Sequence, residues 1–206
     1  MLKQRIFQSI AALAFSLISF SGYAQYNALD LSIGDSVGFA YNRDMDQRRL
    51  GLSAFGIWNF TDDTRLLAPA LRYNIIPIND QAFLDNLYVS LVGYYVRMSD
   101  DEFDNSTVTA IGFGGGGRIK ILDEYSFLRK NLFLNAGFNY APPGTTYRDG
   151  HDLIGWFARL EYPIFDRSLA FLGFRQFLTD LEHDDGYRKE NAKIDQTPFI
   201  GIQFVF

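Results

Sequence analysis

Along the last thirteen residues, Ile194, Gln196, Pro198, Ile200, Ile202, Phe204 and Phe206 share one parity, while Asp195, Thr197, Phe199, Gly201, Gln203 and Val205 share the other. Successive side chains of a strand point to opposite faces, so the stretch predicts a strand that is apolar on one face and small or polar in the middle of the other. Seven further segments repeat the pattern: Leu50 to Phe60, Arg65 to Ile75, Leu87 to Met98, Thr107 to Ile121, Leu132 to Tyr140, Asp152 to Ile164 and Leu169 to Asp180. Turn-forming clusters part them, and their length suits a tilted strand crossing a bilayer. Leu87 to Met98 is apolar on both faces, and there Arg97 marks the inward one. Before Arg49, the residues Leu29, Leu31, Ile33, Val37, Phe39 and Tyr41 keep one parity across Gly34-Asp35. A two-residue turn at that dipeptide makes a hairpin of the region.

The second face decides between a soluble and a membrane barrel. A soluble barrel carries Lys, Glu and Thr outward, whereas this face holds Gly, Ala, Ser and Asn with an isolated charge. Such residues fill a narrow lumen, and the apolar face meets lipid. The expected architecture is therefore all-β: a closed antiparallel transmembrane β-barrel over residues 25–206. An even strand number follows from both termini lying on the periplasmic side. Ten strands satisfy it, and eight would if residues 25–42 lay outside the wall. Trp58, Tyr73, Tyr140, Trp156 and Tyr162 lie on the apolar face near the expected strand ends, where an interfacial aromatic girdle belongs.

Composition agrees with export. The 206 residues include no Cys, 18 Gly and 17% aromatic residues, and the absence of thiols excludes disulfides and thiolate metal sites. Lys3 and Arg5, an apolar run from Ile6 to Phe20 and the small-residue exit at Gly22-Tyr23-Ala24 have the form of a secretory signal cleaved after Ala24. Losing those two basic residues leaves 17 Lys and Arg against 24 acidic side chains, a net charge near −7 that argues against nucleic acid as a partner.

With the strands placed, the chain from Leu50 to Phe206 resembles the YfaZ family of small outer-membrane proteins. The resemblance rests on Leu50-Gly51-Leu52-Ser53-Ala54, the Gly-rich run Gly112 to Arg118 and Asn139-Tyr140-Ala141-Pro142. It continues with Ala158-Arg159-Leu160-Glu161-Tyr162, Leu172-Gly173-Phe174-Arg175 and the closing Pro198 to Phe206. It implies a barrel in the outer membrane of a Gram-negative envelope and contains no catalytic signature.

The candidate chemistry lies in the lumen. Arg72, Arg97, Arg118, Lys120, Arg159 and Arg175 are expected to point inward with Glu161, giving a net positive interior. A barrel of this size can be nearly filled by its side chains. An Arg/Glu network that plugs it, with Arg175 reaching Glu161, is the expected state; a narrow porin with anion preference is the alternative. A rim enzyme would need His151 with Asp149 and Asp152, or His183 with Asp184 and Asp185, but no serine nucleophile accompanies either. Gly114 to Gly117 is not a phosphate loop, because no Lys-Ser/Thr follows. No enzyme activity and no cofactor are expected. The expected partners are outer-membrane lipid and lipopolysaccharide, and the barrel assembly machinery through the strand ending at Phe206. Acidic loops at Asp62-Asp63, Asp100-Asp101-Glu102 and 182–185 are candidates for divalent cations, although runs of charge usually serve only solvation.

Overall fold

A computed structural model describes residues 26–45, 49–76, 84–99, 106–122, 131–182 and 188–206. Nearly all of them lie in strands: β1 (Tyr26–Ile33), β2 (Ser36–Met45), β3 (Leu50–Asn59), β4 (Thr64–Ile76), β5 (Leu84–Met98), β6 (Ser106–Leu122), β7 (Leu132–Ala141), β8 (Thr146–Arg148), β9 (Gly150–Phe165), β10 (Ser168–Glu182) and β11 (Arg188–Val205). Ten of these form the wall, each antiparallel to its neighbours. The ring closes where β1 pairs with β11, Leu31 opposite Ile202. The three-residue β8 takes over from β7 along the upper part of β6, Thr146 facing Ala110. The described part of the segment 25–42, from Tyr26 on, thus does join the wall, as the hairpin β1–β2 turning at Gly34-Asp35. The proposed signal segment, residues 1–24, lies outside the described residues.

A closed ring leaves no backbone edge for lipid to meet. Its outward positions are apolar: Leu71 is 49% exposed, Leu91 58%, Phe113 55%, Leu172 58% and Ile200 62%. A water-soluble barrel cannot present such a continuous apolar belt while directing arginines inward. The protein is a transmembrane β-barrel. We call the end that bears Tyr26 and Phe206 the inner mouth and the opposite end the outer mouth. Asn27 and Phe206 exchange two backbone hydrogen bonds at the inner mouth, of 3.2 and 2.9 Å.

Two strand starts and one bulge differ from the sequence pattern. β11 begins at Arg188, well before Ile194, so the connection after β10 is short. A bulge lies in this extension: Phe177 pairs with Asp195 but Leu178 with Lys193, which leaves Ile194 as the extra residue. Ile194 was expected on the lipid face, yet the bulge shifts the parity and buries it to 1% exposure in the interior. Similarly, β5 starts at Leu84 and carries a register shift between Leu84 and Asn86, so Asp85 and Asn86 are both buried.

The interior has two storeys. Around the outer mouth, inward side chains from six strands form an apolar stopper, with Leu66, Val96, Val108, Leu153, Leu181 and Ile194 all at 3% exposure or less. Toward the inner mouth the same strands turn charged and amide side chains inward. Between the two runs a cavity of about 210 Å³.

Candidate functional site in the lumen

Glu161 on β9 is the hub of the inner storey and is 1% exposed. Arg159, two residues away on the same face, donates Nε to its Oε1 at 2.7 Å; Asn135 of β7 donates Nδ2 to the same atom at 2.8 Å. Arg118 of β6 brings its Nε within 2.7 Å of Oε2. Each guanidinium holds a second carboxylate: Arg159 bonds Asp30 of β1 at 2.6 Å, and Arg118 bonds Asp85 of β5 at 2.6 Å. Asp30 in turn accepts from Gln203 of β11 at 2.7 Å. A continuous chain of charge-assisted bonds therefore crosses the barrel from β11 through β1, β9 and β6 to β5.

Two smaller groups flank it. Arg72 of β4 pairs with Asp44 of β2, and its Nη1 reaches Asn42 at 3.3 Å. Arg175 of β10 donates Nε to Asp195 of β11 at 2.5 Å, Nη2 to Ser36 at 2.7 Å and Nη1 to Ser32 at 2.9 Å. Ser36 closes this group by donating to Asp195 at 2.8 Å. Every one of the four arginines also lies over an aromatic ring: Arg72 on Tyr88, Arg118 on Phe133, Arg159 on Phe171 and Arg175 on Phe199, at 3.7 to 5.3 Å from the ring centres. Each cation thus has a carboxylate at its edge and a π face against its plane. Two glycines make room for this. A Cβ at Gly38 would meet Arg175 Nη1 and Ser32 Oγ at 2.5 Å, and one at Gly116 would meet the Tyr88 hydroxyl at 2.6 Å.

Four of the expected inward cations, Arg72, Arg118, Arg159 and Arg175, line the cavity together with Glu161. Lys120 lies on the same face of β6 as Arg118, one pleat nearer the inner mouth, and is half-buried. Arg97 is a correction. It points outward and is exposed, because β5 turns Val92, Tyr94, Val96 and Met98 into the stopper, so on this strand the apolar face is the inner one. Arg175 meets Asp195 rather than Glu161. The net positive interior is corrected as well. Among the described residues Asp30, Asp44, Asp85 and Asp195, none of them singled out from sequence, join Glu161 to set five carboxylates against the four guanidiniums and Lys120. The signal for two of them was present: Asp30 and Asp44 share parity with the small or polar Ser32, Ser36, Gly38, Ala40 and Asn42 once the hairpin turn is allowed for.

On the lipid face, Trp58, Tyr73, Tyr140, Trp156 and Tyr162 all alternate with lumen residues, and Tyr73 is 43% exposed. Trp156 is placed differently from expectation: β9 begins at Gly150, so the indole sits well inside the strand, donating Nε1 to Gln176 at 2.9 Å. At the outer rim, Thr107 N–H occupies the Asp149 carboxylate at 2.8 Å and Asp180 N–H that of Asp152 at 3.3 Å, while Nδ1 of His151 is buried without a hydrogen-bond partner. Among the described residues no carboxylate bonds that Nδ1, the contact by which one would orient His151 as a general base. His183, Asp184, Asp185 and Asp100 to Glu102 lie outside the described residues. Asp62 and Asp63 serve their own turn, accepting from Asn59 at 3.1 Å and Arg65 at 3.0 Å. Among the described residues no group of three potential ligands could hold a metal ion.

No family model matches the chain, and no curated protein matches it. Among solved structures, the crystal structure of the outer membrane channel DcaP of Acinetobacter baumannii is similar with a TM-score of 0.38 and 10% identity. The alignment covers 86% of this chain and 54% of that channel, so the chain spans about half the length of its structural neighbour. A likeness this distant transfers no function.

Proposed function

We propose that the chain is a small outer-membrane barrel whose lumen is held shut and whose role is structural or permeability-related rather than enzymatic. The observation that carries this reading is the stacking of two obstructions in one lumen. Across the outer storey, Leu153 and Leu181 are fully buried against Val96 and Val108, and an apolar constriction excludes ions because nothing there replaces their water. Below it, the arginines are engaged by carboxylates, so opening a path would break several charge-assisted bonds together. The strand motifs that resemble the YfaZ family, the signal-like first 24 residues and Phe206, 37% exposed just beyond β11, support export and delivery to the barrel assembly machinery.

Conductance tests the reading. The refolded chain in a planar bilayer should show no steady single-channel current, whereas Leu153→Ser with Leu181→Ser should admit water and give flickering openings. A steady wild-type current would replace this reading with the narrow porin. Five carboxylates against four guanidiniums and Lys120 then predict no preference for anions. A rim hydrolase is tested separately: His151→Ala should leave every activity of the purified barrel unchanged.

A further inference from the structure

Arg97 has a companion on the outside of the wall. Arg65 stands directly across the β4–β5 ladder from it, and both are exposed on the outward face. Each heads a column of outward residues that is apolar below it: Leu67, Pro69 and Leu71 under Arg65, and Tyr95, Gly93 and Leu91 under Arg97. The Arg65 guanidinium lies 4.7 Å over the Trp58 ring, which is itself 5.1 Å from that of Phe60. Asp63, in the turn beside them, accepts from Arg65 at 3.0 Å. This bond holds its carboxyl below the usual range, and the Trp58 indole and Arg97 act in the same sense.

Lower down, the ladder between Leu67–Tyr95 and Ala70–Val92 lacks two pairs, at the point where Pro69 has no N–H to give. A Cβ at Gly93 would meet only Pro69 Cγ, at 3.9 Å, so the missing side chain leaves a shallow furrow on the lipid side between Tyr95 and Leu91. Two guanidiniums crowning an apolar furrow, at the depth of an interfacial tryptophan, form the complement of an amphiphile with an anionic head. Guanidinium forks match the geometry of phosphate oxygens in particular.

We propose that Arg65 and Arg97, with Trp58 beside them, bind the phosphate-bearing headgroup of an outer-leaflet lipid whose acyl chain lies in the furrow over Gly93. This rests on the outer-membrane reading above. The chain has two tryptophans, so in a Trp156→Phe background the Trp58 indole reports alone. Lipopolysaccharide titrated into the folded barrel in neutral micelles should shift Trp58 emission saturably, and the same lipid stripped of phosphate should bind about tenfold more weakly or less. Arg65→Gln with Arg97→Gln should weaken binding to a similar extent, while Arg65→Lys with Arg97→Lys should retain most of it. Should the paired glutamine variant fail to fold, Arg97→Gln against Arg97→Lys decides by the same criterion. Equal response to both lipids, an equal shift with inorganic phosphate alone, or undiminished binding by the glutamine variants overturns the proposal. Failure of the outer-membrane reading looks different: the full chain would stay soluble without detergent and would not insert into vesicles.

Discussion

Glu161→Ala probes the lumen most directly. The carboxylate is 1% exposed, accepts from Arg159 and Asn135 at 2.7 and 2.8 Å and pairs with Arg118 at 2.7 Å, so its loss leaves all three groups buried away from water. Breaking a buried ion pair usually costs about 3 to 5 kcal/mol because the surviving charge stays desolvated. Here Arg118 keeps Asp85 and Arg159 keeps Asp30, each at 2.6 Å, so neither guanidinium is left without a counter-charge. The expected loss is therefore smaller, about 2 to 3 kcal/mol, nearer the penalty for orphaned buried hydrogen-bond groups. Urea titration of the refolded barrel in vesicles, followed by tryptophan emission and by the heat-modifiable gel band, measures it. Glu161→Gln should lose nearly as much, since an amide cannot neutralise two cations. Glu161→Ala combined with Arg118→Met should cost less than the two single changes summed, because they share one ion pair, a coupling above about 0.5 kcal/mol in a double-mutant cycle. A Glu161→Ala midpoint within about 0.5 kcal/mol of wild type, the range of ordinary surface changes, would refute the network as a source of stability.

Other expectations are simpler. Ile202→Arg places a cation on the lipid face opposite Leu31 and should cost about 2 to 4 kcal/mol near mid-bilayer, read as the unfolding midpoint in vesicles. Leu153→Ala removes a side chain of 0% exposure from the stopper and should cost about 2 to 5 kcal/mol by the same titration. Gly112→Ala would press a Cβ to 2.5 Å from the Tyr140 carbonyl oxygen and 3.0 Å from Ala141 Cα, backbone that cannot yield, and should lower stability by about 1 to 3 kcal/mol. Arg97→Gln should leave the midpoint within about 0.5 kcal/mol of wild type, whereas Arg118→Gln should not.

The wall was legible in the sequence because a two-faced strand writes its orientation at every second position. From Leu132 to Tyr140 that alternation survives unbroken into the structure. It failed where the rule linking charge to the inside failed. On β5 both faces are apolar, one meeting lipid and the other the stopper, so a lone Arg97 could not reveal the orientation. The bulge at Ile194 broke parity without any Gly or Pro at the site to announce it. Glu161 stood out beside Arg159 on one strand, but Asp85, which holds Arg118, lies before Leu87, where the alternation sets in, and Asp195 acquires its place only through the bulge. Contacts across a lumen join residues far apart in the chain, Arg159 and Asp30 among them, and no local pattern encodes them.

The hairpin that begins the wall is short, and this makes the cylinder unequal around its girth. β1 meets β11 over six residue pairs, Ala28 to Ile33, whereas β10 meets β11 over fourteen. Beyond Ile33, Asp35 N–H bonds the side chain of Thr197 rather than its backbone, at 3.1 Å, and Ser36 ties in through Arg175 and Asp195. The tube therefore has a tear line. Heat or pulling force should part it there first, with the amides of Leu29 and Leu31 surrendering their protons to deuterium before those of Leu172 or Phe174, and an insertion stitched across that line should stiffen the whole molecule.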